Sequence, residues 1–380
     1  IRVSTSKRYR MKYKIAFVGN SSLTMHNFRI NLLRSMVKLG YEVVVLAPKD
    51  SDTTSYKSNR IRYIPIDVDC KGVNPVKDFA LMNQLRALYV KEKFDFVFHY
   101  TIKPVIYGSF AARLAGIKHI SVITGLGYTF LNTGFLNKLV ISLYRHSLKK
   151  AEEVWFLNED DREVFLTNEV VNKKRTKVIN GEGVNARLYQ PAKKESSRIK
   201  FLFVGRMLWD KGIGEYVEAS RILKKKYPNV VFEALGSLGS ANPSAISREQ
   251  MDEWEKEEII KYLGETHRVI PFLSNSSCVV LPSYREGISR VLLEASAMEK
   301  PVVATNVTGC RDIVVDGYSG YLCEVRNPES LAEAMEKIIR LPKEKLEEMG
   351  KEGRRLVLEK FDEKIIIQEY VSKLKEIFPE

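Results

Sequence analysis

Short runs of β-branched and aromatic residues recur along this chain, and stretches with helical apolar spacing fall between most of them. KIAFVG (14–19) reads as a buried strand, FRINLLRSMVKLG (28–40) as a helix ending on glycine, and YEVVVLAP (41–48) as the next strand. IRYIPID (61–67), FDFVFHY (94–100), HISVITG (119–125) and EVWFLN (153–158) continue the series. This is the βαβ rhythm of a parallel sheet with helices on both faces. It restarts after YQPAKKESSRIKFLFVGR (189–206), where a proline and a polar charged stretch precede a strand ending in Gly205-Arg206. Helix 214–226, strand 230–236, helix 249–262, strand 279–282, helix 289–299 and strand 301–305 follow. Helices over 329–341, 343–359 and 362–378 finish the chain. The expected fold class is α/β, with two Rossmann-like doubly wound domains over 11–190 and 191–361 and a junction near 190–198. Residues 362–380 form a C-terminal helix placed to return to the first domain. Such domains are expected to face across a cleft, with ligands at the carboxyl ends of the strands. Residues 1–10, ahead of Met11, carry no periodic pattern and read as a leader or expression remnant.

At 380 residues and 44% apolar content the chain is long enough for two cores and is not of disordered composition. Its net charge of +14 is unevenly spread. Residues 11–190 hold 27 Lys/Arg against 16 Asp/Glu, whereas residues 191–380 hold 30 against 31. The stretch 96–151 has no acid at all. A one-sided basic face fits a polyanionic neighbour, whether phosphates, anionic lipid or nucleic acid, or simply a soluble surface. Cys70, Cys278, Cys310 and Cys323 form no CxxC pair and read as buried thiols in a reducing compartment. No apolar run is long enough to span a bilayer, and the expected location is cytoplasmic.

The segment YREGISRVLLEASAMEKPVVAT (284–305) places two glutamates, Glu286 and Glu294, eight positions apart. Ser289 is a good N-cap for the helix that carries Glu294, so Glu286-Gly287-Ile288 forms the loop leading into it. Free N–H groups and the helix dipole make that loop a seat for a diphosphate. A carboxylate buried at Glu294 needs donors, and ribose hydroxyls would serve; a capping loop with an ion-paired helical glutamate fits the spacing equally. Upstream, FVGRMLWDKGIGEYVEA (203–219) sets Arg206 and Lys211 between a strand and a helix. Two cations there can hold a diphosphate and neutralise a leaving group.

The segments GR-x4-KG (205–212), Glu-x7-Glu (286–294) and KPVVAT (300–305) resemble those of the retaining glycosyltransferases of family 4, which have the GT-B fold. The likeness covers nearly all of 11–380. Within the family, NSSLTMHNFR (20–29), GLGYTF (125–130), RMLWDKG (206–212), NPS (242–244) and LPSYREG (281–287) look like bacterial enzymes that extend polyprenyl-diphosphate-linked sugars in N-glycan, capsule and O-antigen assembly. The resemblance implies a UDP-sugar donor, UDP-N-acetylgalactosamine favoured, an undecaprenyl-diphosphate-linked acceptor, and no cofactor or metal. It implies that Arg206 and Lys211 hold the donor diphosphate. Glu286, with the backbone of Gly287, Ile288 and Ser289, would hold the sugar and phosphate, and Glu294 the ribose. The base would sit near Tyr262, Gly264 and Glu265, Gly19 would admit the sugar or diphosphate, and Asn20, His26 and Arg29 would face the acceptor.

Many members carry a histidine after the strand matching 119–124, where this chain reads VITGLGYTF with Leu126 near that place. His99, at the end of an earlier strand, is the substitute candidate, although a lone histidine is more often structural. GFLNKLVISLYRHSLKKA (134–151) sets Leu136, Leu139 and Leu143 on one side, with Lys138, Arg145, Lys149 and Lys150 around it. That profile fits a helix lying on an anionic membrane, or one packed on the sheet; with a lipid-linked acceptor the expectation is a cytoplasmic protein peripherally associated with the inner face of the bacterial cytoplasmic membrane. Two rivals stand beside the transferase reading. A non-hydrolysing UDP-sugar 2-epimerase would bind the same donor without an acceptor. A basic nucleic-acid binder would explain the charge but lacks any recognisable binding motif.

Overall fold

The computed structural model describes residues 13–50, 53–69, 72, 74–126, 134–192, 198–239 and 242–379, apart from the side chains of residues 135 and 136. The leader read over 1–10, Cys70, the Leu136 side chain and residues 127–130 of GLGYTF lie outside the described residues. The chain divides into two compact units, Ile1–Glu182 with Ile367–Glu380, and Gly183–Ile366.

The first unit holds β1 (Lys14–Val18), β2 (Glu42–Ala47), β3 (Arg62–Pro65), β4 (Phe96–Tyr100), β5 (Lys118–Ile123), β6 (Glu153–Phe156) and β7 (Thr176–Val178). Their order, β3-β2-β1-β4-β5-β6-β7, is parallel throughout. Ile15, Ala16, Phe17 and Val18 are fully buried, as the unbroken apolar run requires of a strand covered on both faces. The order turns back between β1 and β4, the topological switch point of this sheet. The first helix runs over Ser22–Lys38, starting six residues before its predicted start. Ser21 caps it by accepting from Thr24 N, a signal that the polar first turn obscured. The final helix, Glu363–Ile377, packs on this unit from Ile367 onward. Tyr370 lies 4.8 Å from the Trp155 ring and 5.1 Å from that of Phe98, and the Tyr100 hydroxyl donates to that of Tyr370 at 3.1 Å.

The second unit holds β8 (Lys200–Val204), β9 (Val231–Leu235), β10 (Lys261–Tyr262), β11 (Cys278–Leu281), β12 (Val302–Thr305) and β13 (Gly320–Cys323). They lie in the parallel order β10-β9-β8-β11-β12-β13. The helix predicted over 249–262 ends at Lys256, and its last two residues form β10 instead. Glu258 adopts a left-handed conformation (φ 56°) that no continuing helix allows. The chain enters this unit at Gly183, ahead of the predicted junction. Val184 pairs with Asp362, and Tyr189 is buried against Glu294. Because each sheet is parallel, its strands deliver all their following loops to one edge.

Candidate active site

In the second unit the loops after β8, β9, β10, β11 and β12 bond to one another. Met207 N donates to Ser237 O at 2.8 Å, Gly236 N to Gly264 O at 2.9 Å, and the Tyr262 hydroxyl to Gly236 O at 2.8 Å. Trp209 N donates to Ser244 O at 2.8 Å, which sets the NPS segment against the loop after β8. Tyr284 N donates to Asp210 O at 3.0 Å. Gly212 closes this junction. Its φ is 75°, and an added Cβ would fall 2.1 Å from Pro282 O, so only glycine lets the β8 loop lie this close to the β11 loop.

That approach carries Lys211 to Glu286. Its Nζ lies 2.5 Å from Glu286 Oε1, and both side chains are less than one-fifth exposed (19% and 15%). The Glu286 backbone is fixed from the other side: Glu286 N donates to Thr308 O at 3.1 Å and Ser289 N to Gly309 O at 3.0 Å. Gly309, at φ 79°, packs so tightly that an added Cβ would lie 2.5 Å from Glu286 O. Arg206 is exposed, and its side chain has no hydrogen bond or ion pair among the described residues. Glu286 takes one of the three Lys211 ammonium donors, leaving two, with the Arg206 guanidinium on the same loop. Two cations, one tethered by a carboxylate, can take a diphosphate and neutralise the charge that develops when it leaves.

Two of the predicted details change. Ser289 occupies the N-cap position of helix Arg290–Ala297, but its hydroxyl makes no capping bond, and its N–H is spent on Gly309, so it does not serve the predicted phosphate seat. Glu294 is buried as expected, yet its Oε1 already accepts from the Tyr189 hydroxyl and from Arg290 Nε, both at 2.8 Å. Protein donors satisfy this oxygen before any ribose arrives. Burial and the Glu294 charge push the Tyr189 phenol far above its ordinary range. Tyr189 lies 105 positions from Glu294, and nothing local in the sequence signals the contact.

In the first unit, Asn20, Val68, Thr101, Lys103, Thr124 and Gly125 line a pocket of about 220 Å³ at the carboxyl ends of β1, β4 and β5. Asn20 is thus placed at this pocket, and Gly19, His26 and Arg29 are not among the residues that line it. Beside Gly19, an added Cβ would meet Met25 Sδ at 2.7 Å, so its missing side chain makes room for that thioether. His26 sits on helix Ser22–Lys38 with its ring edge against Tyr56 at 5.9 Å and Nδ1 3.3 Å from Asn27 Oδ1. Arg29 is buried rather than presented to an acceptor: its guanidinium lies 3.9 Å from the Tyr100 ring centroid and pairs with Glu182.

His99 is also corrected. It has no exposed surface, and its Nε2 is 2.9 Å from the Tyr89 hydroxyl. An added Cβ at Gly108 would strike its ring at 2.5 Å. Burial, with His119 at a ring distance of 5.2 Å, drives its pKa well below the usual histidine value. It is a neutral core residue with no path to a substrate.

Helix Phe135–Ser147 divides its predicted membrane face. Leu143 packs against the buried cluster around Tyr144 and Phe165, and Arg145 donates to the carbonyls of Asn168 (2.6 Å) and Glu169 (3.2 Å). These two are committed to the fold. Lys138, Leu139, Lys149 and Lys150 remain exposed. Among the described residues no helix is long and apolar enough to cross a membrane, and no group of three or more potential metal-ligating side chains occurs.

Comparison with known proteins agrees with this geometry. Residues 14–158 match the glycosyl transferase 4-like model, and residues 186–356 match glycosyl transferases group 1. The chain belongs to the GT-B glycosyltransferases. A relative in Campylobacter jejuni, the N,N'-diacetylbacillosaminyl-diphospho-undecaprenol alpha-1,3-N-acetylgalactosaminyltransferase, is 27% identical over 377 residues, covering 94% of this chain and 97% of the relative. The UDP-Gal:alpha-D-GlcNAc-diphosphoundecaprenol alpha-1,3-galactosyltransferase of Escherichia coli is 26% identical over 392 residues, covering 98% of each. A glycosyltransferase from Rickettsia africae shares the fold, with a TM-score of 0.80 at 20% identity over 97% of this chain and 99% of its own.

Proposed function

We propose that this glycosyltransferase moves N-acetylgalactosamine from UDP to a sugar carried on undecaprenyl diphosphate, with retention of configuration and without a metal. The observation that carries the reading is the Lys211–Glu286 pair with Arg206 beside it on the same loop. Both named relatives act on diphospho-undecaprenol-linked sugars, one adding N-acetylgalactosamine and one galactose from UDP-galactose.

In this reading the bond between the sugar C1 and the diphosphate oxygen breaks. Negative charge grows on the departing UDP, and Lys211 and Arg206 neutralise it. The acceptor hydroxyl attacks C1 from the face the diphosphate leaves, and its proton passes to the leaving phosphate oxygen. Glu286 orients Lys211 and, as the diphosphate takes over the ammonium, turns to the sugar hydroxyls. Lys138, Leu139, Lys149 and Lys150 bring the basic unit to an anionic membrane surface where such an acceptor resides. Reversing Lys149 and Lys150 to glutamate is then expected to weaken binding to anionic vesicles at low salt.

The epimerase and nucleic-acid readings find no support among the relatives. The test is product analysis. Purified protein, UDP-N-acetylgalactosamine and undecaprenyl-diphosphate-linked diacetylbacillosamine are incubated with excess EDTA, and the lipid product is examined by proton NMR. An α-linked sugar formed at an undiminished rate is expected. A β-linkage refutes retention, and loss of rate restored by added divalent metal refutes metal independence.

A further inference from the structure

The segment between β11 and Glu286 is held by more than the glycine contacts. Tyr284 lies two positions ahead of Glu286, and its backbone N–H donates to Asp210 O at 3.0 Å, directly beside Lys211. Ser283, next to it, donates its hydroxyl to the same carbonyl at 3.3 Å. The Tyr284 hydroxyl donates to Glu215 Oε1 at 2.7 Å. Glu215 stands in the first turn of helix Ile213–Lys226, which starts two residues after Lys211. One tyrosine is thus bonded to the chain on both sides of Lys211, by its backbone before it and by its side chain after it.

A third loop adds to this grip. Arg326, from the loop after β13, sets its guanidinium 4.6 Å from the centroid of the Tyr284 ring. It does so from a left-handed backbone (φ 58°) that residues other than glycine seldom adopt. Glu215 depends on the tyrosine in turn. Its Oε2 is buried without a hydrogen bond, so the Tyr284 hydroxyl is the one donor to this carboxylate among the described residues. Burial, and then the Glu215 carboxylate, push the phenol up to about 12, so the hydroxyl keeps its proton and remains the donor near neutral pH.

We propose that Tyr284 is a positioning residue for the transfer step: its bonds to Asp210 and Glu215 fix the separation of the two segments that carry Lys211 and Glu286. The proposal deepens the proposed function and rests on its reading of Lys211. With Nζ 2.5 Å from Glu286 Oε1, a small shift of either segment moves the ammonium from the place where it meets the departing diphosphate. The backbone bond from Tyr284 to Asp210 survives any side chain at 284 except proline, so the hydroxyl contact to Glu215 can be removed by itself.

The test is a double-mutant cycle on initial transfer rates with wild type, Tyr284→Phe, Lys211→Met and the double variant, all assayed below the thermal midpoint of the least stable protein. Tyr284→Phe keeps the ring beside Arg326 and loses only the bond to Glu215. It is expected to lower kcat about tenfold to a hundredfold, with the UDP-sugar KM little changed. In the Lys211→Met background the same substitution should barely alter kcat, because the group it positions is already gone. Glu215→Leu should match Tyr284→Phe, and Glu215→Gln, which keeps an oxygen for the phenol, should lose less than either. A loss from Tyr284→Phe that multiplies with that from Lys211→Met overturns the proposal, because it marks a residue that supports the fold without acting through the lysine. Unchanged kcat in Tyr284→Phe overturns it as well. Unchanged kcat in Lys211→Met overturns the proposed role of Lys211 instead, and this inference falls with it.

Discussion

Lys211→Met separates what the Lys211–Glu286 pair does for the fold from what it does for the reaction. The two groups lie 2.5 Å apart with side chains 19% and 15% exposed. Removing the lysine strands a largely buried carboxylate. A fully buried pair loses about 3–5 kcal/mol when one partner goes, and an exposed pair loses at most about 1 kcal/mol. With residual exposure near one-sixth, a loss of about 2 kcal/mol is expected for Lys211→Met. In the double variant Lys211→Met/Glu286→Gln the stranded charge is gone, and stability should return to within about 1 kcal/mol of wild type. Activity should not return. If Lys211 neutralises the departing diphosphate, its loss costs about 100- to 1,000-fold in kcat, in line with removal of one electrostatic stabiliser. The double variant stays at least as impaired. Denaturant melts and initial-rate transfer assays on wild type, both singles and the double give the full cycle. A double variant that regains both stability and activity refutes the reasoning, because Lys211 would then act only as a counter-ion. A Lys211→Met protein that loses stability but keeps kcat refutes it as well.

Three further outcomes follow from particular contacts. Gly309→Ala forces a left-handed alanine, at about 1–2 kcal/mol, and a Cβ 2.5 Å from Glu286 O; thermal melts should fall by several degrees and kcat should drop as Glu286 shifts, whereas unchanged kcat would show that Glu286 placement is not critical. Tyr189→Phe removes a 2.8 Å hydrogen bond to the Glu294 carboxylate and is expected to cost about 1.5–3 kcal/mol in a denaturant melt, with a raised UDP-sugar KM; a neutral result would show that Arg290 alone holds Glu294. Burial lowers the pKa of His99 far below its usual value and that of His119 to about 4, so both stay neutral in the fold while the unfolded chain takes up protons below about pH 6.5. Their contribution is therefore present above the unfolded value near pH 6.5 and lost as pH falls toward the folded values, so the protein is expected to be less stable at pH 5 than at pH 6.5. Guanidinium midpoints at the two pH values measure this, and a pH-independent midpoint would contradict it.

The two sheets were legible in the sequence because each interior strand is an unbroken apolar run, covered on both faces. What escaped were the short strands. β7 and β10 span only three and two residues, too little for any periodicity to register, and β13 (GYLC) opens on glycine and is buried only at its two ends, so it lacks the unbroken apolar run that marks its equally short neighbour β12. The start of helix Ser22–Lys38 was hidden because its first turn is polar and its signal is a cap, Ser21. At the site, Arg206, Lys211 and Glu286 were legible because they follow strand ends in a parallel sheet, where loops converge. That Lys211 and Glu286 would pair depends on Gly212 meeting Pro282 and Gly309 meeting Glu286, contacts between segments that no local pattern links. His99 and Arg29 misled for the opposite reason. A polar residue near a strand end or on a helix face reads as available, and only packing reveals Tyr89 over the one and Tyr100 under the other.

The most direct measurement is a donor panel. Wild-type protein and Glu286→Gln are incubated with radiolabelled UDP-N-acetylgalactosamine, UDP-N-acetylglucosamine or UDP-galactose and undecaprenyl-diphosphate-linked diacetylbacillosamine, and label is extracted into the lipid phase. Label from UDP-N-acetylgalactosamine alone, lost in Glu286→Gln, is the predicted result. Label from another donor contradicts the proposed sugar, and undiminished label with Glu286→Gln contradicts the site.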